Sequence, residues 1–587
     1  MNSRGNSWTD LNEALLDKIF ALVCIPSEGS GPNLADVPFQ LNSNLPLVCR
    51  RFNACYKSSP TLWRRVSLDW ATAINPPRID SRFSSRAEGR NSPYNFSNSN
   101  GDGEIPLFGY VCRWLLTRAP LIEHLALTNC HVLGPALELQ LLPLCSQASR
   151  LVSLQLLDCK GSGDQVLAAL SSSSPSSLRF IKLTCYQPSK GHTLLLRVHT
   201  SALQDLVNNL QSVVSVDLEI DSLVDGSGSR DAQMIVNQNP SWSKLEKLMS
   251  FRLSGRMESL VLHPDMLSSL KNLQNLELVN VRLPQFSPAM VAALSKVSFL
   301  SLTNVLAAKP RRKSGFTLWN GLSGLKSLKK LNLIGAGRDA ELPRSALACS
   351  ALESLSIQDC SHVSNWPLST TGITISRPET KFSAVDTLLH LSLIDIGLSA
   401  LPSVHFWRSC RRLTSLTWRN VHQAAPRHRY WDHDGAYEFT NAMEPVLRLL
   451  RVLCLEFSGM NEDQFKVTAG VLHSATKLKE LSLQGNRLGG VHGIAIANAI
   501  VHDKLELERL SLVNCGLKMV PSDIFSLSSL TELDLSNNPR LETGEDEDKK
   551  LERIKVVKRN DRHAMLAAAL PKFLEEQEGE DAVALGV

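Results

Sequence analysis

From residue 121 almost to the C-terminus the chain keeps returning to one pattern, L-x-x-L-x-L-x-x-(N/C). The clear copies are Leu121–Cys130, Leu151–Cys159, Leu273–Val281, Leu328–Ala336, Leu352–Cys360, Leu388–Ile396, Leu413–Val421, Leu478–Asn486, Leu507–Cys515 and Leu530–Asn538. Weaker copies lie near Leu178, Val213, Leu248, Val297 and Leu450, which makes about fifteen units spaced from the low twenties to the high thirties of residues. This repetition constrains the fold more than any other feature. The L-x-L core is a short strand of period two, so its leucines point one way and the residues between them the other. A single strand cannot bury that apolar face alone. Stacked copies can, and their strands then form one parallel sheet.

The N/C position turns the chain away from the strand. Asn serves there by hydrogen bonding and Cys as a small buried group. Cys130, Cys159, Cys360 and Cys515 occupy it, which accounts for several of the 13 cysteines without redox chemistry. Phe286–Leu294, Glu462–Leu472 and Gly490–Val501 read as helices on the far side of the sheet. These units resemble leucine-rich repeats of the cysteine-containing class, with Gly516–Glu542 closer to the typical class. The resemblance covers roughly residues 120–542. It implies an α/β solenoid, a horseshoe with parallel strands on its concave face and helices on its convex face. Such an array presents a long curved surface to another macromolecule.

The first seventy residues do not fit the repeat. Leu11, Leu15, Ile19 and Leu22 recur at helical spacing, with Leu16, Phe20 and Val23 beside them. A polar stretch, Pro26–Asn44, separates them from LPLVCRRF, which holds Leu45, Val48, Cys49, Arg50, Arg51 and Phe52, and from Ser59, Pro60, Leu62 and Trp63. In this order the pieces resemble an F-box, with Asn12 where the family usually has proline and an insertion at Pro26–Asn44. A plain helical cap over the first repeat is the alternative. The F-box resemblance implies a small all-helical module that docks a Skp-type adaptor and, through it, a cullin and a RING subunit, while the repeats capture a target protein for ubiquitination. The adaptor contacts it implies are Leu11, Leu15, Leu16, Ile19, Phe20, Leu45, Val48, Cys49, Arg50, Phe52, Pro60, Leu62 and Trp63.

Four regions follow: an F-box-like module over 8–69, a Ser/Asn/Gly-rich linker expected to be disordered over 70–110, the repeats over 111–542, and a charged C-terminal cap and tail over 543–587. The tail's Ala/Leu stretch, His563–Leu574, reads as a capping helix. Lys309–Lys313 reads as a solvated basic loop or, alternatively, an import signal. Pro426–Asp434 gathers His428, Asp432, His433 and Asp434, and reads as a rim loop rather than a metal site because its spacing matches no ligand pattern.

A net charge of +5 over 587 residues is too mild to imply a nucleic-acid partner. No apolar run reaches membrane-spanning length and no signal peptide is evident. Scattered cysteines without a Cys-x-x-Cys pair fit a cytoplasmic or nuclear setting. No phosphate loop, His-Glu-x-x-His or Gly-x-Ser-x-Gly element occurs, so no catalytic, cofactor or metal site is expected. The expected contact surface is the concave sheet. Its candidate target-binding residues are Lys330, Asn332, Gln358, Arg419, Glu480, Gln484, Arg509, Asp534 and Ser536. An interaction scaffold outside any ligase and a ligand-sensing receptor are the rival expectations.

Overall fold

The computed structural model describes residues 64–69, 115–128, 143–160 and, with short interruptions, 167–224, 242–307, 318–335, 346–363, 385–423, 441–457, 472–488 and 505–558. The F-box-like segment up to Trp63, the Lys309–Lys313 and Pro426–Asp434 segments, Gly490–Val501 and the tail from 559 lie outside the described residues. So does Glu462–Leu472, apart from Leu472 itself. The chain divides into two compact units, the first comprising 1–297 and 304–314, the second 298–303 and 315–587.

Each unit is a ladder of short parallel strands. In unit 1 these are β1 (Arg65–Asp69), β2 (His124–Thr128), β3 (Ser153–Lys160), β4 (Phe180–Ser189), β5 (Ser215–Ile220), β6 (Ser250–Gly255) and β7 (Asn275–Val279). They pair in chain order with one register: Arg65, His124, Ser153, Phe180, Ser215, Ser250 and Asn275 stand in line. Unit 2 has β8 (Phe299–Thr303), β9 (Lys330–Ile334), β10 (Ser354–Val363), β11 (His390–Leu398), β12 (Ser415–Arg419) and β13 (Val452–Glu456). It ends with β14 (Glu480–Ser482), β15 (Arg509–Ser511), β16 (Glu532–Asp534) and β17 (Val556–Lys558). These too pair in chain order.

The inward positions of the strands are apolar and mostly leucine. Leu276, Leu278, Leu300, Leu302, Leu331, Leu333, Leu355 and Leu391 are all at most 1% exposed. Burying one such side chain contributes about 1.5–3 kcal/mol, and every unit repeats the gain. Hydroxyl groups stitch neighbouring repeats. Ser177, Ser212, Thr387 and Ser529 each donate to a carbonyl of the preceding repeat, at 2.8–2.9 Å.

The turn after each strand follows one rule. Asn280, Asn304, Gly335, Asp359, Asp395, Asn420, Gly485, Asn514 and Asn537 all have positive φ, and each stands one residue before the N/C position. Asn, Asp and Gly tolerate this left-handed conformation best. The N–H of Gly335, Asn420, Gly485 and Asn514 donates to the next repeat. The N/C position behaves as the sequence suggests. Asn538 Nδ2 donates to the carbonyls of Leu512 and Leu535 at 2.8 Å, while its Oδ1 accepts from the N–H groups of Cys515 and Leu517 at 2.9 and 3.1 Å. Asn486 Nδ2 donates to Leu455 and Leu483 carbonyls. Cys360 and Cys515 are fully buried there.

On the far side the described connections vary in length. Phe286–Leu294 forms a helix over Pro288–Ala293, capped by the Ser287 side chain, and one 3-10 turn, Leu294–Lys296. Among the described residues the other connections range from the ten-residue helix Thr200–Asn209 through the short helices Pro264–Ser268 and Val404–Ser409 to single 3-10 segments such as Trp242–Lys244 and Ser522–Ser526. The shortest connections leave no room for a helix. Between β15 and β16 only residues 512–531 are available for a turn, a crossing and a return.

The ladder also exceeds the 111–542 that the leucine pattern delimits. Strand β1 lies inside the segment assigned to the F-box-like module, and β17 inside the tail. Residues 70–123 lie between the first and second described strands of the sheet.

Candidate interaction surface

With the leucines inward, three residues per strand face outward, here called the entry, middle and exit columns. In unit 1 the middle column reads Ser67, Ala126, Gln155, Lys182, Asp217, Arg252 and Glu277. The last four form a chain of alternating charge. Lys182 Nζ lies 3.3 Å from Asp217, Arg252 lies 3.4 Å from Asp217, and Arg252 Nε lies 3.1 Å from Glu277. All four are partly exposed, so each pair is worth at most about 1 kcal/mol. Their main effect is to hold one another's side chains in place.

Unit 2 has a different middle column: Ser301, Asn332, Ser356, Ser392, Thr417, Cys454, Ser482, Ser511, Asp534 and Lys558. It is small, neutral and mostly hydroxylic until its last two members. Asn332 Nδ2 donates to Ser301 Oγ at 3.3 Å and Ser482 Oγ to Glu456 at 2.5 Å.

The nine residues expected from sequence all lie on this outward face of unit 2, in different columns. Lys330, Glu480 and Arg509 are in the entry column, Asn332 and Asp534 in the middle, and Gln358, Arg419, Gln484 and Ser536 in the exit column or its continuation. The fold brings some of them together. Glu480 pairs with Arg509, Lys558 reaches Asp534 at 3.6 Å, and Ser536 N–H donates to Asp534. Gln358 and Gln484 use their backbone carbonyls to receive the N–H groups of Gly335 and Phe457. Lys330 and Asn332 stand five strands or more from the Glu480–Asp534 group. Sequence reasoning passed over unit 1 entirely, although the signal was simple: the residue between the two inward positions of each unit spells Lys182, Asp217, Arg252, Glu277.

One turn site, just after the exit column, breaks the rule. Phe457 adopts φ +48 where the other repeats use Asn, Asp or Gly. Its ring lies across Gly485, the equivalent position of the next repeat, where a Cβ would run into the ring carbons. The Arg419 guanidinium sits 5.4 Å from the centre of the same ring, a cation–π contact. Arg419, Phe457 and Gly485 thus form a short stack along the rim.

The described cysteines are chemically quiet. Burial pushes the Cys145, Cys349, Cys410 and Cys515 thiols up to about 12, and burial followed by the nearby Glu456 pushes Cys454 to about 11. A thiol rather than a thiolate at neutral pH is a poor nucleophile and metal ligand. Among the described residues no group of three or more His, Cys, Asp and Glu could hold a metal. Among the same residues no helix is long and apolar enough to cross a membrane.

The repeated strand, the left-handed turn and the buried Asn/Cys position together make this a leucine-rich-repeat protein. Sequence relatives agree. The chain is 34% identical over 107 residues to a ribonuclease inhibitor of Sus scrofa and 30% identical over 105 residues to that of Mus musculus; each match covers 17% of this chain and 23% of the relative. The matched stretch therefore spans about a quarter of those proteins. A NACHT, LRR and PYD domains-containing protein 5 of Mus musculus is 39% identical over 79 residues, 13% of this chain and 7% of its own length. No protein-family model matches the chain. Among solved structures, a leucine-rich-repeat protein of Leptospira interrogans aligns with 70% of this chain and 91% of its own, at 17% identity and a TM-score of 0.45. An internalin of Listeria monocytogenes aligns with 77% and 94%, at 14% identity and a TM-score of 0.35.

Proposed function

We propose that this chain is the non-catalytic substrate-recognition subunit of an SCF-type ubiquitin ligase. Its N-terminal segment docks a Skp-type adaptor, and the outward face of its leucine-rich repeats holds the protein to be ubiquitinated. The observation that carries the reading is the ordered set of F-box-like pieces, Leu11 to Phe20, Leu45 to Phe52 and Pro60 to Trp63, followed two residues later by the first strand of the sheet at Arg65. An adaptor-binding module joined directly to a recognition surface is what a bivalent receptor needs. It raises the effective concentration of target lysines beside the charged ubiquitin enzyme without breaking any bond itself.

The test is co-purification of the full-length chain with adaptor and cullin. The expected result is that both are retained and that Leu62→Ala with Trp63→Ala releases them, while the thermal unfolding of the repeats is unchanged. A folded wild-type chain that retains neither partner defeats the ligase reading. The second reading, a scaffold that binds proteins outside any ligase, then stands, and the likeness to ribonuclease inhibitor and other repeat proteins favours it in that event.

A further inference from the structure

The turns that lead into β12, β13 and β14 lie side by side along one edge of the unit 2 ladder, at the end of the strands opposite the N/C position. Their described Lys, Arg, Asp and Glu residues are Arg408, Arg411 and Arg412 before β12, Glu444, Arg448 and Arg451 before β13, and Lys477 and Lys479 before β14. All but Glu444 are cations. Glu444 is taken by Arg448 at 3.6 Å, and Lys479 by Glu506 and Glu508 of the turn into β15, at 3.1 and 3.3 Å. Arg408, Arg411, Arg412, Arg451 and Lys477 are exposed and have no ion-pair partner among the described residues. The carboxylates on the strands that follow are engaged elsewhere: Glu480 with Arg509, and Glu456 with Arg419 at 3.9 Å and with the Ser482 hydroxyl.

The backbone beneath these cations is fixed. The Arg411 N–H donates to Ser409, the Arg451 N–H to Thr414 and the Lys479 N–H to Arg451, which ties the three turns together. Two strand spacings separate the first turn from the third, about 10 Å. Five free like charges within that span repel one another, and an anionic ligand relieves the repulsion. Acids bound the row on both sides. Asp386 stands in the turn into β11, and Glu506 and Glu508 in the turn into β15. Burial and then Asp386 raise the Cys410 thiol, which puts that carboxylate beside the turn into β12. A nucleic acid continues its phosphates past both ends of the row and meets these carboxylates. A short anionic group does not.

Charge decides between phosphate and carboxylate. An extended protein segment presents same-face side chains about 7 Å apart, so two fit the row. As carboxylates they bring about two negative charges, as phosphates about three to four. Five free cations less Asp386 leave four to be met. Four of the five are arginines, whose planar fork holds phosphate through paired hydrogen bonds.

We propose that the turns into β12, β13 and β14 form a second recognition site, which binds a protein segment carrying two phosphorylated Ser or Thr side chains two residues apart. Arg411 and Arg412 take one phosphate, Arg451 and Lys477 the other, and Arg408 flanks them. The site is separate from the outward strand face assigned to the target protein, and it stands whether or not the chain joins a ligase.

The test uses the full-length chain and a fluorescein-labelled synthetic peptide of about a dozen residues, neutral except for a central phosphoserine-x-phosphoserine, followed by fluorescence anisotropy. Saturable binding that weakens as salt rises is expected. Peptides with one phosphate, or with Asp in place of both phosphoserines, should bind about tenfold more weakly or worse. Arg412→Glu and Arg451→Glu should each weaken binding about tenfold or more, with the thermal unfolding midpoint unchanged. Arg451→Lys should weaken it less. Lys330→Glu, on β9, should leave it unchanged. The proposal is overturned if no saturable binding is found, if the Asp or the singly phosphorylated peptide binds equally well, or if Lys330→Glu weakens binding as much as Arg451→Glu. Tighter binding of a single-stranded RNA of about a dozen nucleotides also overturns it, because the acids at the two ends would then not limit the ligand. A wild-type chain that retains the adaptor but not the peptide sinks this proposal alone; one that retains the peptide but not the adaptor sinks the ligase reading alone.

Discussion

Units 1 and 2 share one backbone pattern and differ in what they place on it. The middle column of unit 1 is a row of interlocked charges, Lys182, Asp217, Arg252 and Glu277. That of unit 2 runs through serines, an asparagine, a threonine and a cysteine before it meets Asp534. The inward leucines are nearly interchangeable between the two. The fold therefore leaves the outward positions free, and each unit has taken a different chemistry: fixed, directional charge in one, a low neutral floor in the other. The turns come in two kinds. Some N/C positions bury an amide or a thiol, at Asn486, Asn538, Cys360 and Cys515. Others bury an apolar side chain, at Val281, Val305, Ile396 and Val421, with the polar work passed to the residue before it: Asn304 donates to Asn280 at 2.9 Å and Asn420 to Asp395 at 2.7 Å.

The sharpest break in this comparison is expected at the buried amide. Asn538→Ala removes both donors and acceptor from two repeats and leaves the Cys515 and Leu517 N–H groups without their acceptor. It should cost about 3 kcal/mol, read as a lower urea midpoint for unit 2. Asn280→Ala, half-buried in unit 1, should cost about 1 kcal/mol or less. Equal losses would show that the two kinds of turn are energetically the same.

Next in size is the rim stack. Gly485→Ala places a Cβ against the Phe457 ring at a residue with φ +73, for an expected loss of about 2 kcal/mol. In the Phe457→Ala background the same change should cost only about 1 kcal/mol, the backbone share alone. A cycle with no coupling would rule out the ring as the reason for glycine here.

A smaller effect separates the two faces electrostatically. Asp217→Asn should lower stability by less than about 1 kcal/mol, and the difference from wild type should shrink as salt rises. Replacing Ser356 by Ala at the corresponding place in unit 2 should show no salt dependence at all. The smallest effect expected is none: Cys145, Cys349, Cys410, Cys454 and Cys515 should stay unlabelled by iodoacetamide at pH 8 in the folded chain, as peptide mass mapping would reveal. Labelling of Cys515 at the rate of a free thiol would contradict its burial.

Much of this architecture is legible from spelling alone. Two leucines two apart, with a third three residues earlier, set the strand, its inward face and its register, and every clear copy whose strand is described enters the ladder there. The N/C position likewise announces its own chemistry at Asn486, Asn538, Cys360 and Cys515. The ends were not legible. Strand β1, RVSLD, has Val66 in place of the first strand leucine and follows an F-box-like sequence that claims it. Strand β17 is VVK, with no leucine at all, and is added by backbone pairing to β16. The candidate contact residues lie where the repeats are most regular. The charged row of unit 1 escaped because Val216 and Phe251 replace leucines there and blur the pattern without altering the register.

The pairing of β1 with β2 carries a consequence for the order in which the molecule is made. Residues 70–123 intervene between these neighbours, against 512–531 between β15 and β16. Closing the longer loop costs about 1 kcal/mol more, a modest thermodynamic difference but a real delay. During synthesis β1 emerges from the ribosome with nothing to pair with, and it waits until more than fifty further residues have followed. The N-terminal segment is thus born detached from the solenoid and is moored to it only when His124–Thr128 arrives.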